Sequence, residues 1–91
     1  MKVVITGAAG QISYSLIPFL CENGIFNSEE KLDLALVEIP SAMERLGGFV
    51  KELEDSAYST VNSISTYDNI QDAVVDADWC LLVGSIPRGI V

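Results

Sequence analysis

Apolar positions along this chain recur with two different periods, and the switches between them mark its elements. Val3, Val4 and Ile5 are an unbroken apolar run, the pattern of a short strand covered on both faces of a parallel sheet. From Ile12 the period lengthens. Ile12, Leu16, Phe19 and Leu20 recur at helical spacing, and Asn23-Gly24 is a stop signal. Pro18 lies inside that stretch, where it removes one helical hydrogen bond and favours a kink. A second strand over 32–38 closes on Glu38. Pro40-Ser41 then opens a helix that runs to about Ala57, with Met43, Leu46, Val50, Leu53 and Ala57 forming one apolar stripe. Gly47-Gly48 in its middle cost about 1 kcal/mol each relative to alanine. Such a pair predicts a close backbone neighbour, either the sheet or a partner subunit.

Residues 61–66 read as a third strand. Asp68 is placed to cap a helix over 69–76 whose inward positions are Ile70, Ala73 and Val74. Residues 79–84 form a fourth, wholly apolar strand, and Ser85-Ile86-Pro87-Arg88 leaves its end. Four strands alternating with three helices predict an α/β fold, an open parallel sheet with right-handed crossovers and strand order 3-2-1-4. This is a Rossmann-like arrangement, partial, with residues 1–91 as the N-terminal part of a dinucleotide-binding domain and no catalytic domain.

Composition narrows the class. The chain has 91 residues, 49% of them hydrophobic, and a net charge of −8, a balance expected of a globular domain rather than a disordered one. With only five Lys or Arg, nucleic acid and anionic membrane surfaces are poor partners. No apolar run approaches a membrane span, and the start of the chain lacks the long apolar core of a signal peptide. Cys21 and Cys80 are isolated, without metal-ligand spacing. They are expected to be buried free thiols in a reducing, cytoplasmic compartment, with no metal site.

The candidate chemistry lies in two places. Gly7, Ala8, Ala9, Gly10, Gln11, Ile12 and Ser13 form a turn nearly free of side chains between the first strand and the first helix. Gly7 allows a tight turn, Gly10 lets phosphates approach, and Ser13 sits where a small residue lets the helix pack on the strand. The N-terminus of the new helix would direct unpaired N–H groups at a pyrophosphate. Glu38, at the end of the second strand, would lie beside that corner. A carboxylate there accepts both ribose hydroxyls of an adenosine and repels a 2′-phosphate, so the expected cofactor is NAD rather than NADP.

Together these residues resemble the malate dehydrogenases, within the lactate/malate dehydrogenase family and nearest its cytosolic type. The resemblance rests on Gly7-Ala8-Ala9-Gly10-Gln11-Ile12, Tyr14-Ser15-Leu16, the acid at 38, Glu52-Leu53-Glu54-Asp55 and Leu82-Val83-Gly84-Ser85-Ile86-Pro87-Arg88. It spans the whole chain and implies hydride transfer between malate or oxaloacetate and NAD, a step of the tricarboxylic acid cycle, by a homo-oligomer such as a dimer. It implies that Gly84, Ser85 and Ile86 line the cofactor cleft and that Arg88 reads the second carboxylate of the substrate, a role suited to a planar guanidinium. Ser13 in place of Ala or Gly, and Glu38 in place of Asp, depart from the family pattern. The family's proton-transfer histidine has no counterpart, since the 91 residues contain no His. The chain alone is therefore expected to be inactive and to hold none of the catalytic residues. Two other readings share parts of the pattern. One is the start of an extended short-chain reductase or sugar-nucleotide epimerase, although no Tyr here has a Lys at the Tyr-x-x-x-Lys spacing. The other is a non-catalytic NAD-sensing module.

Overall fold

The computed structural model describes residues 1–23 and 30–83. The elements in chain order are β1 (Lys2–Thr6), α1 (Gln11–Asn23), β2 (Leu32–Val37), a 3-10 turn (Pro40–Ala42), α2 (Met43–Ser56), β3 (Val61–Tyr67), α3 (Ile70–Ala73) and β4 (Trp79–Leu82). The four strands form one sheet in the order β3-β2-β1-β4, as the alternation of strands and helices predicts. Every pairing is parallel. Val3 lies opposite Leu34, Val4 opposite Cys80 and Leu34 opposite Ile64.

Topology explains which face each helix covers. The two connections through α1 and α2 step the same way across the sheet, so right-handed crossovers put both helices on one face. Val3, Ile5, Leu34 and Leu36 accordingly pack with Ile17 and Cys21 of α1 and with Leu46, Phe49 and Leu53 of α2. The connection through α3 returns in the opposite direction and covers the other face, where Ala73 packs on Val4, Ala35 and Val37. Tyr14 ties the first two helices together. Its ring stacks on Phe49 at 4.9 Å, and its hydroxyl donates to the Glu52 carboxylate at 2.9 Å. That hydrogen bond, and then the negative charge of Glu52, raise the Tyr14 pKa.

Several details differ from the sequence reading. In α1 the buried positions are Ser13, Ile17 and Cys21, while Ile12 and Phe19 are exposed. Pro18 lies inside the helix as expected, and the helix continues past it. Helix α2 is preceded by a separate 3-10 turn, and Phe49 belongs to its buried stripe. The helix ends as Ala57 turns left-handed, at φ 51°. Among the described residues a Cβ at Gly47 or Gly48 would meet nothing within 4 Å outside their own stretch of helix, so the sheet does not approach them. The third helix has only four residues, and its cap is Asn69, whose side chain accepts the Asp72 N–H. Ile70 and Val74 are exposed rather than inward. On β4, Trp79, Cys80 and Leu82 are exposed, so Cys80 is a free but exposed thiol.

Cys21 is buried as expected. Its surroundings push the thiol up to about 11, first by desolvation and then by the charge of Glu22. Because the folded state holds this proton more tightly, the stabilisation is complete below about pH 8.5 and is lost as pH rises toward 11. Thermal midpoints are expected to fall across that interval. At pH 8 Cys21 should resist alkylation until denaturant is added. Rapid modification of Cys21 in the folded protein would contradict this packing.

Candidate functional site

The strand–turn–helix corner is built as its residues suggest. Gly7 is left-handed at φ 63°, a conformation that costs an L side chain roughly 1–2 kcal/mol. The turn closes with Gly10 N–H donating to Gly7 C=O at 2.9 Å. A Cβ on Gly10 would come within 3.2 Å of that same carbonyl oxygen. Geometry thus requires glycine at 7 for its φ, while at 10 it spares the Gly7 carbonyl a tight contact. Ala8 N–H donates to Val37 C=O at 3.1 Å, which moors the turn to the end of β2.

Helix α1 begins immediately afterwards. Tyr14 N–H donates to Gly10 C=O at 2.9 Å. This leaves the N–H groups of Gln11, Ile12 and Ser13 without an intrahelical acceptor, at the positive end of a 13-residue helix. Ser13 faces inward and is fully buried. Its hydroxyl has no hydrogen-bond partner among the described residues. Small size is what this position requires, and the hydroxyl is an unpaired polar atom at the foot of the turn.

Glu38 lies one residue beyond β2 rather than at its last position. Its N–H donates to Tyr67 C=O at 3.1 Å, so its backbone is anchored to the end of β3. Its carboxylate reaches across to the glycine turn, where Oε2 accepts the Ala9 N–H at 3.0 Å. Oε1 accepts the Ile39 N–H at 2.9 Å. The structure therefore brings together Gly7, Ala8, Ala9, Gly10, Gln11, Ile12, Ser13 and Glu38. Gly84, Ser85, Ile86 and Arg88 lie outside the described residues.

A hollow of about 520 Å³ is lined by Ile39, Ser41, Ala42, Glu44 and Arg45, the first of them next in sequence to Glu38. The sequence reading missed this wall, though its signal was the apolar Ile39 directly after a strand-closing acid. It also missed Thr6, whose hydroxyl donates to Val83 C=O at 3.0 Å and ties the end of β1 to the chain leaving β4. A second hollow of about 440 Å³ includes Lys2, Asp33, Ser63, Tyr67, Asp76 and Asp78. Hydrogen bonds from Asn62 and Ser63, both 2.8 Å, hold the Asp33 carboxyl below the usual range. Three acids and no helix N-terminus make this hollow unsuited to a pyrophosphate. Among the described residues no group of three or more His, Cys, Asp or Glu could hold a metal ion. No described helix is long and apolar enough to cross a membrane.

A glycine corner at the C-terminal ends of parallel strands, with an acid on the adjacent strand end, defines a dinucleotide-binding α/β protein. The chain belongs to the lactate/malate dehydrogenase family, and residues 1–90 match its NAD-binding domain. It is 45% identical over 89 residues to a malate dehydrogenase of Magnetococcus marinus, covering 98% of this chain and 27% of that protein. Among solved structures it resembles the malate dehydrogenase of Naegleria fowleri with a TM-score of 0.89 and 34% identity, covering 98% of this chain and 27% of that one. The lactate dehydrogenase of Trichomonas vaginalis in complex with NADH and oxamate matches with a TM-score of 0.84 and 36% identity, over 97% of this chain and 27% of that one. The chain thus spans about a quarter of the length of these relatives.

Proposed function

We propose that this chain is the cofactor-holding part of an NAD-dependent malate dehydrogenase. The observation that carries the reading is the corner itself, a left-handed Gly7 whose carbonyl is closed on by Gly10, with the Glu38 carboxylate fixed beside them. The residues present fit the cofactor. Gln11, Ile12 and Ser13 offer N–H groups to a pyrophosphate, and Glu38 has acceptor capacity left for ribose hydroxyls. Ile39 supplies an apolar wall beside them. NAD, when bound, supplies or takes up the hydride. These residues orient it and hold its adenosine end.

Gly84, Ser85 and Ile86 are proposed to continue the cleft, and Arg88 to pair with the second carboxylate of malate or oxaloacetate. The proton on the substrate hydroxyl needs a separate acid–base group, and these 91 residues contain no histidine. This part alone is therefore proposed to bind without catalysing. We place the enzyme in the cytoplasm as a homo-oligomer, a setting with which its free thiols are compatible.

Calorimetric titration of the intact polypeptide with NAD and NADP tests the reading. NAD is expected to bind at least tenfold more tightly, because Glu38 repels a 2′-phosphate. Glu38→Ser, which removes that repulsion and both hydroxyl contacts, should bring the two affinities within about threefold. Equal binding of both nucleotides by the unaltered protein would remove Glu38 from the ribose site. NAD binding without oxaloacetate reduction by the full-length protein, with the further residues proposed to supply the acid–base group, would favour an NAD-sensing module.

A further inference from the structure

We propose that Glu38 is a positioning residue for the glycine turn as well as a contact for the ribose. In this role it holds the turn in its anion-ready shape before any nucleotide arrives. The inference rests on the NAD reading above and extends it to a second task for the same carboxylate.

Among the described residues the turn from Gly7 to Gly10 has three N–H groups with acceptors, those of Ala8, Ala9 and Gly10. Two of these acceptors are backbone carbonyls, Val37 for Ala8 and Gly7 for Gly10. The third is the Glu38 side chain, which takes the Ala9 N–H at 3.0 Å. Among these three hydrogen bonds it alone is charge-assisted, a class roughly twice as strong as a neutral pair. It is also the one that a side-chain substitution removes without altering the turn's own sequence.

The carboxylate is itself held in place. Oε1 accepts the Ile39 N–H at 2.9 Å, and the Glu38 N–H donates to Tyr67 C=O at 3.1 Å. The side chain is therefore a strut between the end of β2 and the apex of the turn. Each carboxylate oxygen accepts one N–H here and keeps a further acceptor site. The clamp and the ribose contact are thus compatible, one oxygen pair serving both. The bond also commits the Ala9 N–H to the protein, so an incoming pyrophosphate is left with the N–H groups at the start of α1.

The test separates the two tasks with two readouts on the intact polypeptide and its variants Glu38→Ala and Glu38→Gln. The first is amide hydrogen exchange at Ala9 without nucleotide. It is expected to be at least tenfold faster in Glu38→Ala and intermediate in Glu38→Gln, whose neutral oxygen still accepts. The second is affinity for NAD and for an analogue lacking the 2′- and 3′-hydroxyls of the adenosine ribose. Glu38→Ala is expected to weaken NAD about thirtyfold and the analogue about fivefold, because losing the clamp affects both ligands. If Ala9 exchange or the analogue's affinity is unmoved in both variants, the clamp is refuted and any loss of NAD affinity comes through the hydroxyls alone. Should Glu38→Ala not fold, the nearly isosteric Glu38→Gln decides. An unaltered protein that binds NAD no better than the analogue would instead remove the ribose reading, and the exchange readout would still judge the turn.

Discussion

Replacing Leu46 with alanine is expected to cost about 2–5 kcal/mol, the range for truncating a fully buried leucine. Leu46 has no exposed surface and lies in the cluster that joins α2 to β1 and β2 through Val3, Ile5, Leu34 and Leu36. The cost has two parts, the lost transfer of the removed carbons and the cavity they leave. Native proteins are stable by only about 5–15 kcal/mol, so this one change takes a large share. A urea titration should show the midpoint falling by roughly 2 M with an unchanged slope. Exposed Glu44 on the same helix is the control, since Glu44→Ala should stay within about 0.5 kcal/mol. A loss below about 1 kcal/mol for Leu46→Ala would mean that α2 does not pack on the sheet in this way.

The second large effect is at Gly7. Valine there would have to adopt φ 63°, and a β-branched side chain is a poor occupant of the left-handed region. If the backbone stays, the strain costs roughly 1–2 kcal/mol or more. If the backbone relaxes, the Gly10 N–H loses its acceptor at Gly7 and the start of α1 shifts. Either way the N–H groups of the corner no longer converge. Gly7→Val is expected to lower the thermal midpoint by several degrees and NAD affinity by more than tenfold. Gly10→Ala should be milder, because the Gly7 oxygen at 3.2 Å has only to yield slightly. NAD affinity unchanged in Gly7→Val would show that the turn does not hold the pyrophosphate.

The sequence by itself determined the order of elements, the parallel sheet and the corner where the candidate site lies. Short apolar runs separated by helical patterns leave few options once crossovers are right-handed. A strand followed by Gly-x-x-Gly and a helix is a local instruction, because the turn's own backbone needs Gly7 for its φ and closes most easily with a glycine at 10. An acid closing the second strand lies beside that turn in any sheet where β1 and β2 pair in parallel. Tertiary structure decided what these local rules leave open. Helix α1 carries apolar residues on more than one side, and the glycine turn, moored to Val37, chose Ser13, Ile17 and Cys21 as the buried stripe over Ile12 and Phe19. Both Asp68 and Asn69 can cap a helix, and the backbone gave the role to Asn69, with φ −150° and ψ 150°. Gly47 and Gly48 suggest a close neighbour by type, yet no described atom outside their own stretch of helix approaches the Cβ either would carry. The bond from Ala9 to Glu38 spans 29 positions. It depends on where the end of one strand meets the turn after another, a distance that only the folded sheet sets.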